Sequence, residues 1–212
     1  MYQLYGDIGS GSAIVEMALA EIRADVQLRE VPLKENAQKA RKYAAINPQR
    51  KLPCLITPDG ETLTESAAIL LALDDRHRDS ELLPTAPEQR ALAYRWLIFM
   101  AAELYPLIEI VDYPERFQPE GEDTPAARRK VLTAHMEAMW QRRFLIVERA
   151  IGGDPWFLPG GFSALDIYVS VLSRWTRPEE FRKRELPKVE RIAAKLAKRR
   201  RVNAVWRRHF AG

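Results

Sequence analysis

Apolar positions in the first third of the chain recur with two different periods. Residues 2–5 read as a short strand. The turn Gly9-Ser10-Gly11-Ser12 leads into residues 14–22, apolar at helical spacing, with Ser12 placed to cap that helix. Residues 26–31 read as a second strand with Val26 and Leu28 on one face. Residues 36–46 have a helical composition and stop at Asn47-Pro48, because a residue before proline is pushed out of the helical region. Residues 54–57 and 62–64 read as strands joined by Pro58-Asp59-Gly60, in which Pro presets one dihedral and Gly tolerates the other. Residues 65–73 are helical as far as Asp74-Asp75. The first strand–helix–strand unit predicts a right-handed parallel crossover.

Residues 77–87 are polar and hold Pro84 and Pro87, which marks a linker. No strand pattern follows. Residues 88–111 carry Leu92, Trp96, Phe99 and Glu103 in one helical row, with Pro106 expected to kink or shorten the helix. Residues 112–123 read as a polar loop. Thr124 as cap and Pro125 in the first turn open a long helix to about residue 150, closed by Gly152-Gly153. At residues 162–167, Ser163 can cap, Asp166 can reach back and Phe162 can pack on Ile167. A last helix follows Pro187. The plan is α/β followed by all-α, divided as residues 1–78 and 88–212.

A chain of 212 residues, 47% hydrophobic and 29% charged, can bury a core without covalent staples. The single cysteine, Cys54, excludes an internal disulfide framework and reads as inert core. His77, His135 and His209 lie far apart, so no metal is expected. The longest apolar runs, 67–73 and 96–102, fall short of the roughly 20 residues of a membrane helix. No basic-then-apolar leader stands at the start, and a cytoplasmic location is the expectation. Within residues 182–208, twelve Lys/Arg face two Glu, against a whole-chain charge of +4. This run is either a solvated helix face or an attractor of nucleic acid or anionic lipid. No RNA- or DNA-reading motif accompanies it, so neither nucleic acid nor membrane is expected as a partner.

The stretch Asn47-Pro48-Gln49-Arg50-Lys51-Leu52-Pro53, followed by Asp59-Gly60 and then Leu63-Thr64-Glu65-Ser66-Ala67-Ala68-Ile69-Leu70, resembles the cytosolic glutathione transferase family. Tyr5-Gly6-Asp7 with Ser10-Gly11-Ser12 is similar to the start of bacterial, serine-type members, and residues 162–166 resemble the family's capped helix. The resemblance spans the whole chain. It implies a thioredoxin-like N-terminal domain for glutathione, an all-helical C-terminal domain for the electrophile, and a homodimer.

Glutathione carries a carboxylate and an ammonium at its γ-glutamyl end. Ser66, at a helix N-terminus, suits the carboxylate, and Glu65 suits the ammonium; the alternative is that both only cap the helix. By resemblance Pro53 is cis, Leu52 pairs through its backbone with the cysteinyl peptide, and Lys51 faces the glycine carboxylate. Arg50 stands where the family commonly has Gly. A thiol of pKa near 8.5 is only about 3% ionised at pH 7, and lowering that pKa by about 2 takes roughly 2.7 kcal/mol of selective stabilisation. A hydroxyl at the first helix's N-terminus can contribute such an amount. Ser10 ranks first for this role, then Ser12, then Tyr5. Met100, Glu103 and Tyr105 are the second-substrate candidates, with core or dimer packing as the alternative for Met100 and Tyr105. Trp96, Trp140, Trp156 and Trp175 read as core.

The resemblance thus implies a detoxifying transferase that adds the glutathione thiolate to a small hydrophobic electrophile, with glutathione as co-substrate. Glutathione-dependent peroxidase, dehalogenase or isomerase activity stays open. So does a non-catalytic binding or interaction module.

Overall fold

The computed structural model describes residues 1–117 and 126–210. Four strands, β1 (Tyr2–Gly6), β2 (Val26–Glu30), β3 (Cys54–Ile56) and β4 (Thr62–Thr64), form one sheet in the order β2-β1-β3-β4. β1 and β2 run parallel, with Leu4 opposite Leu28, and α1 (Ser12–Glu21) crosses between them. β1 pairs antiparallel with β3, and β3 with β4. Side chains alternate across the sheet. Tyr2 and Leu4 enter the main core under α1 and α3 (Ser66–Arg76), whereas Tyr5 packs on the other face against Tyr43, Val31 and Cys54. Burial pushes the Cys54 thiol up to about 11, which keeps it unreactive.

After the sheet come α4 (Pro87–Phe99), a π turn (Met100–Leu104), α5 (Tyr105–Asp112), α6 (Ala126–Ala150), α7 (Ala164–Ser173), α8 (Glu179–Glu185), α9 (Pro187–Ala197) and α10 (Asn203–Phe210). The main core runs without a break from Leu4, Ile14 and Leu70 through Leu97 and Phe144 to Tyr168 and Val202. α1 is buried almost all round because sheet and helices enclose it. Its two acidic side chains are compensated: Glu21 by Arg199 (2.8 Å at both oxygens) and Arg201, Glu16 by Arg208 and His209.

Several expectations need correction. Ser12 does not cap α1; Gly11 occupies the cap position and the Ser12 hydroxyl turns back to the Asp7 carbonyl. Residues 36–46 are not one helix. Asn36, at φ +56°, separates two 3₁₀ turns, and only α2 (Arg41–Ala44) is α-helical. α3 continues past Asp74-Asp75 to Arg76, because the Asp74 carboxylate is buried, accepts from Leu83 N–H at 2.8 Å and pairs with Arg90. For the same reason 77–87 is not a solvated linker: Leu82 and Leu83 are fully buried, and Leu82 C=O accepts from Ala164 N–H at 2.8 Å. Ahead of Pro106 the helix widens into the π turn instead of stopping, and Arg143 donates to the Glu103 carbonyl there at 2.5 Å. The continuous helix 87–112 is therefore long and apolar enough to cross a membrane by length and composition, which the shorter apolar runs did not suggest; here Trp96, Leu97 and Leu104 carry one face into the core. Thr124 and Pro125 lie outside the described residues.

The capped helix is as the sequence predicts. Leu165 N–H donates to Ser163 Oγ, and Asp166 accepts from Ser163 N–H at 2.7 Å.

Candidate functional site

The turn from β1 to α1 holds two hydroxyls side by side. Ser10 Oγ and Ser12 Oγ lie 2.8 Å apart, and both can donate to the Asp7 carbonyl, at 2.8 and 3.1 Å. The N–H groups of Asp7 and Ser12 point at Ser10 Oγ from 3.3 Å, so this oxygen sits among donors at a helix start. Either hydroxyl can hold the Asp7 carbonyl, which leaves the other's proton for a different acceptor. Tyr5 is elsewhere. Its ring packs at a tilt against Tyr43, 5.8 Å between centroids, in the small cluster on the opposite sheet face.

The second component is the loop before β3. Its Leu52-Pro53 bond is cis, as the resemblance implies. Arg50 takes φ +54°, the conformation for which Gly is the usual choice. The loop is held by Tyr43 Oη and Asn47 Nδ2, which both donate to the Lys51 carbonyl, at 2.8 and 2.9 Å. The β1–β3 ladder ends at Tyr5–Cys54, so Leu52 lies beyond it. Lys51 Nζ reaches Glu109 on α5 at 2.7 Å.

The third component is the start of α3. Glu65, at φ +62°, makes no side-chain cap to the helix; it accepts from Gln49 Nε2 at 3.2 Å. Ser66 is buried and its hydroxyl meets Tyr168 Oη at 3.1 Å. Neither side chain bonds to an N–H of the first turn of α3.

The helical side closes the site. A Cβ built on Gly11 would lie 2.0 Å from Tyr105 Oη, so this phenol abuts the α1 turn. Burial pushes Tyr105 far above the ordinary phenol range, and Tyr168, Glu65 and Glu109 lie near enough to add to the effect. Tyr105 thus packs directly on the serine turn. Met100 is fully buried and offers no surface to a second substrate, a correction to its candidacy. Glu103 is tied to Arg143 at 2.9 Å.

Two side chains at this turn were not legible beforehand. Trp175, read as core, donates Nε1–H to the Gly9 carbonyl at 2.9 Å and packs edge-on to Tyr105. His209, read as one isolated histidine of three, accepts from Gly9 N–H at 3.0 Å. A cavity of about 180 Å³ lies beside the turn, lined by Asp7, Ser12, Glu16, Arg29 and His209. Leu52, Glu65 and Ser66 take no part in it, so its volume does not mark the site described above.

Residues 12–76 match the family model described as glutathione S-transferase, N-terminal domain. The glutathione S-transferase-like protein tpcF of Aspergillus fumigatus is 30% identical over 175 residues, 77% of this chain and 74% of its own length. The chain belongs to the glutathione S-transferase family. Another member, glutathione S-transferase GstA of Escherichia coli O157:H7, is 27% identical over 202 residues, 94% of each chain. The transferase fold extends over the whole molecule: a glutathione transferase homolog from Sulfitobacter, solved with bound glutathione, superposes with a TM-score of 0.88 at 24% identity, covering 97% of this chain and 96% of its own.

Proposed function

We propose that this glutathione S-transferase family member binds glutathione across the three components and adds its thiolate to a small apolar electrophile. The carrying observation is that α5 meets both the serine turn, through Tyr105 against Gly11, and the loop before β3, through Glu109 on Lys51, while Gln49 of that loop holds Glu65. Ser66 N–H and the α3 dipole receive the γ-glutamyl carboxylate; Glu65, placed by Gln49, receives the ammonium. The backbone of Leu52 extends the sheet edge to the cysteinyl peptide. Lys51 turns from Glu109 to the glycine carboxylate. Ser12 keeps the Asp7 carbonyl while the Ser10 hydroxyl donates a hydrogen bond to the thiolate and keeps its proton. In this reading residues 1–78 bind glutathione, residues 88–212 supply Tyr105 and Glu103 toward the electrophile, and the active form is a cytoplasmic homodimer.

The run of twelve basic residues does not favour an interaction module. Arg182, Lys183, Arg184, Arg191, Arg199, Arg201 and Arg208 each pair with a carboxylate of this same chain.

The test is a titration of glutathione thiolate absorbance on the purified protein from pH 5 to 9, repeated with Ser10→Ala. The expected result is a bound-thiol pKa lowered by about 2, restored by Ser10→Ala, with turnover down roughly 25-fold and glutathione affinity kept. Binding with an unshifted pKa would make the protein a glutathione-binding module. An unchanged pKa and turnover in Ser10→Ala would take the role from Ser10.

A further inference from the structure

We propose that His209 and Trp175 are positioning residues for the thiol-activating turn, acting by holding both backbone polar groups of Gly9, the residue before Ser10. This rests on the assignment of Ser10 above. Gly9 sits at φ +74° in a segment with Gly6 and Gly11 close by, so the chain there has little stiffness of its own. Its N–H donates to His209 Nδ1 at 3.0 Å, and its C=O accepts from Trp175 Nε1 at 2.9 Å. Both holding side chains come from the far end of the sequence.

The histidine is itself oriented. Its Nε2 lies 3.1 Å from Glu16 Oε2, and Glu16 is buried on α1 and paired with Arg208. An Nε2–H donated to that carboxylate leaves the Nδ1 lone pair for Gly9, the tautomer the contact requires. The charged groups facing the ring are Glu16, Arg208 and Asp7; burial and the Arg208 cation push the imidazole down to about 4, so the neutral form is the one present at pH 7. Trp175 adds a second constraint, since the indole that holds Gly9 also packs on Tyr105. Ser10 Oγ therefore takes its place from Asp7 and Ser12 within its own turn and, through Gly9, from α10 and the segment after α7. The groups assigned to glutathione capture, Leu52, Glu65 and Ser66, lie on other segments.

The experiment compares full-length wild type with His209→Leu, His209→Asn and Trp175→Phe, each checked for native circular dichroism. Amide exchange of segment 6–12 reads the clamp without any ligand. The bound-thiol pKa, and kcat against KM with glutathione and an activated aryl chloride, read its consequence. In His209→Leu and Trp175→Phe, exchange of the segment should accelerate. In both, kcat should fall about tenfold, glutathione KM stay within twofold and the thiol pKa rise. His209→Asn, whose Oδ1 can take the Gly9 N–H, should recover most of kcat. Unchanged exchange in folded variants would overturn the clamp. Faster exchange with unchanged kcat and thiol pKa would overturn its positioning role. Equal losses in kcat and KM, with Asn no better than Leu, would reduce His209 to a prop for the fold. If wild type itself leaves the thiol pKa unshifted, the Ser10 assignment fails and the positioning role with it, while exchange alone still decides whether the clamp exists.

Discussion

Gly11 has no side chain because Tyr105 fills the space one would occupy. A methyl there would meet the phenolic oxygen at 2.0 Å and the ring carbon behind it at 3.1 Å, so one of the two elements must shift. Gly11→Ala is expected to destabilise the protein by about 1–3 kcal/mol, the usual range for overpacking. Tyr105→Phe in the same background removes the oxygen and should recover part of that loss. Denaturant midpoints of the two singles and the double measure it; strictly additive effects would show that the residues do not meet. At this scale the sequence was informative where chemistry and position coincide. Glu65, Ser66 and Leu52 belong to two nearby stretches, 47–53 and 63–70, whose residue types suit the charges and amides of a tripeptide. His209 and Trp175 were invisible because their function is a contact with a backbone atom more than 160 positions away. Nothing about an indole or imidazole in a helical row declares such a partner.

Among the elements, those with a local cause were the most legible. The Thr57–Gly60 turn closes with its own hydrogen bond at 3.0 Å, and Ser163 with Asp166 writes its cap into four residues. Residues 36–46 failed as one helix because Ala40, extended at φ −61° and ψ 142°, divides the 3₁₀ turn Ala37–Lys39 from α2, a choice that composition does not reveal. The Asp166 carboxylate accepts from both Ser163 and Phe157 N–H at 2.7 Å, so it fastens the chain before α7 as well as the helix itself. Asp166→Ala removes the reciprocal cap and leaves two buried donors without an acceptor, an expected cost of about 2–4 kcal/mol. A denaturant midpoint that moved by less than a few tenths of a kcal/mol in free energy would show that the box is ornamental here.

For the molecule as a whole, the buried ring of α10 gives stability a pH dependence with a definite sign. His209 titrates at about 4 in the folded protein against an ordinary 6.5. Between those values the unfolded chain holds more protons at this site, so its contribution is whole above pH 6.5 and is lost as pH falls toward 4. The loss is on the order of 3 kcal/mol. Urea unfolding at pH 7.5, 6 and 5 should show wild type losing stability faster than His209→Asn across this window; parallel profiles would contradict the burial argument. The change from a sheet-forming to a helical half was readable from periodicity. The way the halves are joined was not, since the polar stretch at 77–87 conceals two fully buried leucines and a buried aspartate ahead of it.

The carboxylates of α1 have a consequence for how this chain can be recombined. Glu16 and Glu21 are buried on the first helix, and their counter-charges, Arg199, Arg201 and Arg208, sit at the opposite end of the chain together with the hydrogen-bonding partner His209. A chimaera with another transferase, joined anywhere in residues 77–87, would inherit one side of each pairing. It would bring together buried acids lacking partners or clustered cations lacking acids, and losing one partner of a buried pair costs far more than an intact pair contributes. The portable unit is therefore a closed loop in sequence: residues 1–21 and 198–212 travel together, and any crossover that respects that pairing can exchange what lies between.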